Sequence, residues 1–107
     1  MSADRIDLGS GHSFTFFGWA PDRELNPKHA DLPDLEHAGL IERHMRPDGV
    51  TPCEGALHFR IEPHCSRLWP GRPTWVVESL DPLTLSPSVL CNCGVHGFIR
   101  AGRWVNA

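Results

Sequence analysis

Apolar and polar residues alternate along several short stretches of the chain, with the period of two that is typical of half-buried β-strands. The clearest stretch is Thr74–Leu80, in which Trp75 and Val77 share one face while Val76 and Glu78 lie on the other. Further strands are predicted at 13–19, 39–46, 55–61, 88–91, 97–100 and 103–105. The pattern therefore predicts a mainly β domain, a small α+β fold of six or seven short antiparallel strands.

Ten prolines and ten glycines interrupt this pattern and leave little room for long helices. One short helix is predicted at 63–69, and one helical turn near Pro33, with Asp31 as its cap. The segment 81–87 is expected to be a bent, extended connection. Ala101-Gly102 is expected to form the turn of a terminal hairpin.

The length of 107 residues suits one domain, 1–107. Within it we expect a flexible lead-in at 1–11, an acidic, proline-rich excursion at 20–38, and a metal knuckle with a terminal hairpin at 90–107. The excursion is either a partner-facing loop or a solvated connection. A domain this small often gains stability from a metal ion or from an oligomeric interface.

The formal charge of −3 and a single lysine, Lys28, make nucleic-acid binding an unlikely function. The first residues lack the apolar region of a secretory signal, and no stretch has the length of a membrane span. We therefore expect a protein of the host cytoplasm or of a virion. In a reducing compartment the four cysteines favour metal binding over disulfides.

The segment from Cys93 to Gly97 has the form C-x-x-H-G, in which two soft ligands can turn back onto one ion. The glycines suit the positive φ angles of such a turn. The predicted ligands of a structural Zn²⁺ are Cys53, Cys91, Cys93 and His96. Three residues remain as substitutes, namely His58, His64 and Cys65. The alternative is that the cysteines are small buried apolar side chains.

The stretch TWVVESLDPLTLSPSVLCNCGVHGFIRAGRWV resembles the C-terminal half of a family of small proteins from actinobacterial phages and prophages. FTFFGWAPDRELNP is similar to the opening of that family. More distantly, S-P-S followed by C-x-x-H and an I-R-x-G turn is similar to a wider bacterial family associated with zinc binding. The resemblance implies a phage origin and a zinc site, and it implies no particular activity.

The leading hypothesis is a non-catalytic, zinc-stabilised phage accessory or virion-associated protein. It would act by contact with another protein of the phage or the host, and an oligomer is one state that this hypothesis allows. The first alternative is a small zinc hydrolase or nuclease, but Glu78, Asp81 and His58 do not stand in an H-E-x-x-H spacing. No G-x-S-x-G frame surrounds Ser88, so Ser86-Pro87-Ser88 is predicted to be a turn and not a nucleophile site.

The second alternative is a zinc-ribbon-like module that binds nucleic acid through the terminal hairpin. Arg100, Arg103, His96 and Trp104 could form a small basic and aromatic patch there. A steep dependence of affinity on salt would support this alternative.

Overall fold

The computed structural model describes residues 4–107, and strands dominate them. The elements are β1 (Ile6–Gly9), β2 (His12–Trp19), β3 (Leu35–Met45), β4 (Pro52–Phe59), α1 (Cys65–Leu68), β5 (Thr74–Leu80), β6 (Leu83–Ser86), β7 (Val89–Leu90), β8 (His96–Arg100) and β9 (Arg103–Asn106). A 3₁₀ turn spans Pro27–His29. The prediction of a mainly β domain is confirmed, with nine strands in the described residues where six or seven were expected.

The strands form two sheets. The large sheet has the order β1-β2-β3-β4-β5-β6, and the small sheet has the order β7-β8-β9. All pairs are antiparallel except β4 with β5, which meet only where His58 and Phe59 lie beside Thr74 and Trp75. The parallel pair requires a crossover between the two strands, and this crossover carries α1.

The main core fills the space between the two sheets. Its buried side chains come from both: Leu8, Phe14, Leu40, Leu57, Phe59, Leu83, Leu85, Val89, Ile99 and Trp104. A second, smaller cluster joins α1 to β3 and to the segment before β3; it consists of Leu32, Ala38, Leu68 and Trp69. The small sheet is therefore held against the large one by apolar contacts along most of its length.

Three segments differ from the predicted elements. Residues 6–9 form β1, because Leu8 is an anchor of the main core and only 1% exposed; residues 1–3 of the predicted lead-in lie outside the described residues. Residues 83–86 form β6, since Leu83 and Leu85 are buried on alternate positions. The helical turn lies at 27–29 and not near Pro33, and β3 begins at Leu35.

The excursion at 20–38 is tied to α1 by charged contacts. The Arg67 guanidinium donates to both carboxylate oxygens of Asp31, at 2.7 and 2.9 Å, and to the carbonyl oxygen of Lys28 at 2.7 Å. Within the excursion, the Arg23 guanidinium donates to the carbonyl oxygen of Leu32. Among the described residues, no helix is both long and apolar enough to span a bilayer.

Candidate functional site

Four side chains from both sheets converge at one end of the main core. His44 lies on β3, Cys53 on β4, and Cys91 and Cys93 in the loop between β7 and β8. Their ligand atoms all lie within 4.8 Å of one another. Nε2 of His44 is 3.2 Å from Sγ of Cys93, and Sγ of Cys53 is 3.5 Å from Sγ of Cys91. This group, the metal cluster, can hold one metal ion.

The register of the large sheet explains why two members of the metal cluster, His44 and Cys53, lie side by side. His44 is directly opposite Cys53 in the antiparallel β3–β4 pair, so both side chains project from the same face. That face is the buried one, because β3 turns Leu40, Glu42 and His44 inward. Alternation along β3 and β4 thus places an imidazole and a thiol next to each other at the edge of the main core.

The loop between β7 and β8 supplies the other half. The N–H of Cys91 donates to the carbonyl oxygen of Val95, and the N–H of Gly94 donates to the carbonyl oxygen of Cys91, at 2.8 and 2.9 Å. Gly94 has a φ of 98°, which a residue without a side chain adopts freely. These contacts fold the loop into a tight knuckle that turns Cys91 and Cys93 towards β3 and β4.

The thiols of the metal cluster differ in acidity. The hydrogen bond from His44 lowers the pKa of the Cys93 thiol to about 6. Burial lowers the pKa of His44, but its bonds to Cys93 and Glu42 outweigh this and raise the pKa above the ordinary value. Burial raises the pKa of the Cys91 thiol to about 11. Near neutral pH Cys93 is therefore ready to bind a cation, whereas Cys91 loses its proton only when an ion replaces it.

Behind the metal cluster, His44 is held by a buried carboxylate. Nδ1 of His44 lies 2.8 Å from each carboxylate oxygen of Glu42, and Nδ1 of His12 lies 3.3 Å from one of them. His12 in turn stacks on Trp104, with ring centroids 3.9 Å apart. Burial lowers the pKa of His12 and outweighs the attraction of Glu42. Together these contacts fix the plane of the His44 ring, so that its Nε2 faces the thiols of the metal cluster.

Three of the four ligands predicted from the sequence meet in the metal cluster: Cys53, Cys91 and Cys93. The histidine of the cluster is His44, whereas the predicted His96 lies outside it. Alternation on β8 explains its position, because Gly97 and Ile99 face the core and His96 faces outward. The three substitutes are also elsewhere: His58 packs against Trp69, Cys65 lies near Thr74, and His64 precedes α1.

His96 instead forms a pair with a hydroxyl group. Its Nε2 lies 2.9 Å from Oγ of Ser88. Ser88 immediately precedes β7, and the β7–β8 register sets Leu90 opposite His96, so the serine and the histidine share the outer face of the small sheet. Trp75 donates its indole N–H to the carbonyl oxygen of Ser88 at 3.2 Å. Within residues 4–107 no carboxylate is hydrogen-bonded to this imidazole, so the arrangement is a dyad.

A hydroxyl group hydrogen-bonded to an imidazole is the arrangement that activates a serine for nucleophilic attack. The imidazole can accept the hydroxyl proton as the oxygen bonds to an electrophilic carbon. The dyad is also open to solvent, since His96 is exposed and Ser88 is half-buried. It can therefore be reached by a substrate.

His44 was not among the predicted ligands, and Ser88 was predicted to lie in a turn that is not a nucleophile site. A signal for His44 exists in the strand pattern, because Leu40, Glu42 and His44 alternate with Ile41 and Arg43. A signal for Ser88 also exists, since it stands three residues before Cys91 just as His96 stands three residues after Cys93. Folding of the knuckle brings these flanking positions side by side.

Comparison with known families gives one match to this chain. A family model described as "Bacterial ubiquitination-like system serine protease (BubE)" matches residues 50–107. The matched segment includes the dyad and the three cysteines of the metal cluster, whereas His44 lies before it. No curated protein and no solved structure matches the chain.

Proposed function

Since the chain belongs to the BubE family of bacterial ubiquitination-like system serine proteases, we propose that it hydrolyses peptide bonds. Ser88 is the nucleophile and His96 is the general base. The observation that carries this proposal is the 2.9 Å contact between Oγ of Ser88 and Nε2 of His96. That distance lies within the range in which a base can take the proton of a reacting group.

The reaction proceeds through an acyl-enzyme. Oγ of Ser88 attacks the carbonyl carbon of the scissile bond while its proton passes to Nε2 of His96. The carbon–nitrogen bond then breaks, and His96 gives that proton to the departing amine. A water molecule, deprotonated by His96, attacks the ester; the proton returns to Ser88 as the ester bond breaks, and a carboxylic acid leaves.

The metal cluster holds a structural Zn²⁺ in this proposal. Ideal tetrahedral zinc places its sulfur ligands ~3.8 Å apart and a nitrogen ~3.5 Å from a sulfur, given the usual zinc–ligand bond lengths. The distances of 3.5 Å between Cys53 and Cys91 and 3.2 Å between His44 and Cys93 are close to these values. Four protein ligands complete a tetrahedral shell, so no position is left for a catalytic water. The ion would brace the loop between Ser88 and His96.

The proposal is tested with a small fluorophosphonate, which labels an activated serine without any peptide recognition. We expect the wild-type chain to be labelled on Ser88, as located by mass spectrometry of the digested protein. Ser88→Ala should abolish labelling. Ser86→Ala is the matched control, because it removes the other hydroxyl of the same S-P-S motif and should leave labelling intact.

His96→Gln removes the proposed general base and keeps the serine, so it tests the role of His96 on its own. Labelling of Ser88 should slow by about two to four orders of magnitude, which is the usual contribution of a positioned general base. Metal content should not change, because His96 is outside the metal cluster. If the wild-type chain resists labelling under conditions where zinc is bound, the proposal of catalysis is overturned, and the non-catalytic contact role predicted from the sequence becomes the better explanation.

A further inference from the structure

A cavity of about 530 Å³ lies between the two sheets, and all four residues of the metal cluster line part of it. One wall is formed by the consecutive residues 53–57 of β4, and the opposite wall by the consecutive residues 89–93 of β7 and the knuckle. Because consecutive residues line both walls, the main chain of each strand faces the cavity. Trp75 and Pro73 close one side.

Both walls carry strand edges that the described residues leave unpaired. In the small sheet β7 is an edge strand and pairs only with β8. β4 pairs with β5 only at His58 and Phe59, so on that side the main chain of 53–57 has no strand beside it. An unpaired edge presents a row of N–H and C=O groups, and an extended peptide can add to it as a further strand.

Gly55 keeps the space between the walls open. Its neighbours on the same face of β4 are Cys53, in the metal cluster, and Leu57, in the main core. A Cβ atom built on Gly55 would have no atom within 4 Å. Leu57, Val89 and Trp75 make the walls around this gap apolar. The part of the cavity around Gly55 therefore suits one large apolar side chain, whereas the ligands of the metal cluster and the side chains of Arg46, Glu54 and Asn92 make the rest polar.

The cavity adjoins the segment that carries Ser88, although neither Ser88 nor His96 lines it. Val89, on its wall, directly follows Ser88, and Trp75, on its side, donates its indole N–H to the carbonyl oxygen of Ser88. A strand added to the edge of β7 would run past Ser88, with side chains pointing alternately to the outer face and into the cavity. One peptide can thus contact the dyad and fill the cavity at the same time.

We infer that the cavity is the specificity pocket for an extended peptide substrate. The peptide pairs with the free edge of β7 and inserts one large apolar side chain at Gly55. This inference rests on the proposed function, because it assigns the substrate of the same dyad. The carboxylate of Glu42, which also borders the cavity, is engaged by His12 and His44 and does not select a basic side chain.

The test uses tripeptidyl phosphonates, which react with an activated serine only after binding as a peptide. The probe set is Ala-Ala-Ala and the three versions in which phenylalanine replaces one alanine. We expect one phenylalanine probe to label Ser88 about tenfold faster than the all-alanine probe, as expected for burial of one large apolar group. Gly55→Leu should remove this preference, measured as the ratio of the labelling rate of that phenylalanine probe to the rate of the all-alanine probe.

Two further variants test whether the effect of Gly55→Leu comes from filling the cavity. Gly55→Ala adds a single methyl group to open space, so it should keep the fold and metal content and weaken the preference partially. Val76→Phe enlarges an exposed side chain on β5 away from the cavity and should keep the full preference. Equal labelling by all four peptide probes, or a preference that survives Gly55→Leu, would overturn the inference while the dyad remains active. Loss of fluorophosphonate labelling in the wild type would overturn the proposed function, and this inference with it.

Discussion

Nδ1 of His44 lies 2.8 Å from both carboxylate oxygens of Glu42, while its Nε2 lies 3.2 Å from Sγ of Cys93. The buried carboxylate thus accepts the proton of Nδ1, so Nε2 is the nitrogen that would give up its proton and bind an ion. An imidazole held in this way is both oriented and made more basic. The glutamate would therefore support an ion held by the metal cluster by orienting His44.

We predict that Glu42→Gln weakens zinc binding by about 10- to 100-fold, as is usual for loss of a hydrogen-bond partner behind a ligand. The amide keeps the shape of the side chain but can present its nitrogen to Nδ1, which disfavours the required tautomer. Competition with a chromophoric chelator measures the affinity. Glu54→Gln, an exposed change on β4, is the control and should bind zinc normally; equal weakening in both variants would contradict the role assigned to Glu42.

Removal of one ligand of the metal cluster should lower both the zinc content and the thermal stability of the protein. We predict that Cys93→Ser lowers the zinc content from about one ion per chain towards zero and lowers the melting temperature by more than about 10 °C, since metal binding in small domains contributes directly to folding. Elemental analysis and thermal unfolding measure the two effects.

Cys65→Ser is the matched control for that experiment, because Cys65 is also half-buried but lies outside the metal cluster. It should keep the ion. Chelation of the wild type should reproduce the melting behaviour of Cys93→Ser. A variant that melts like the wild type, together with a wild type that contains no metal, would refute the structural role of the ion.

Gly97 of β8 lies against the ring of Trp104, which leaves no room for a side chain. A Cβ atom at this position would lie 2.5 Å from Cζ2 of Trp104, the ring that stacks on His12. We predict that Gly97→Ala lowers the free energy of unfolding by about 1–3 kcal/mol, the usual effect of overfilling a packed site. Gly55→Ala places the same methyl group in open space and should be nearly neutral in denaturant unfolding; an equal loss in the two variants would contradict the packing argument.

His58 makes stability depend on pH. Burial between Phe17 and Trp69, with the charge of Arg72 nearby, lowers its pKa below 6.5. The unfolded chain therefore binds this proton more readily than the folded one, so the contribution of His58 is complete above 6.5 and is lost as the pH falls below it. We predict that His58→Phe loses less stability than the wild type between about pH 7.5 and about pH 5.

Denaturant unfolding of both proteins in saturating zinc measures this difference, because the metal ligands are the same in each and their titration cancels. Parallel loss of stability in the two proteins over that range would contradict the prediction.

Short-range features of this site could be predicted from the sequence, and long-range ones could not. Cys91, Cys93 and the turn between them are visible because the spacing is local. Cys53 could be predicted because it lies just beyond a local tight-turn signal, Pro47-Asp48-Gly49. The position of His44 in the metal cluster depends on which face of β3 is buried and on the register that sets it opposite Cys53. Neither can be predicted from one local stretch of the sequence.

The same limit applies to the dyad and to the ends of the fold. Ser88 and His96 meet because of the register between β7 and β8, and a two-residue strand gives almost no pattern to predict it. β1 was missed because a four-residue edge strand with one buried leucine resembles a loose terminus. Thr74–Leu80 was predicted correctly because its alternation is long and rich in β-branched and aromatic residues.

The knuckle stands between the two groups of the dyad, three residues from each, and this order would matter for when the proposed enzyme becomes active. A newly made chain without an ion would hold Cys91 and Cys93 against β3 and β4 only through the contacts of their own thiols, so the hydroxyl and the imidazole would be aligned less firmly. Under the proposed function, the supply of zinc in the cell would then limit how much of the protein is active.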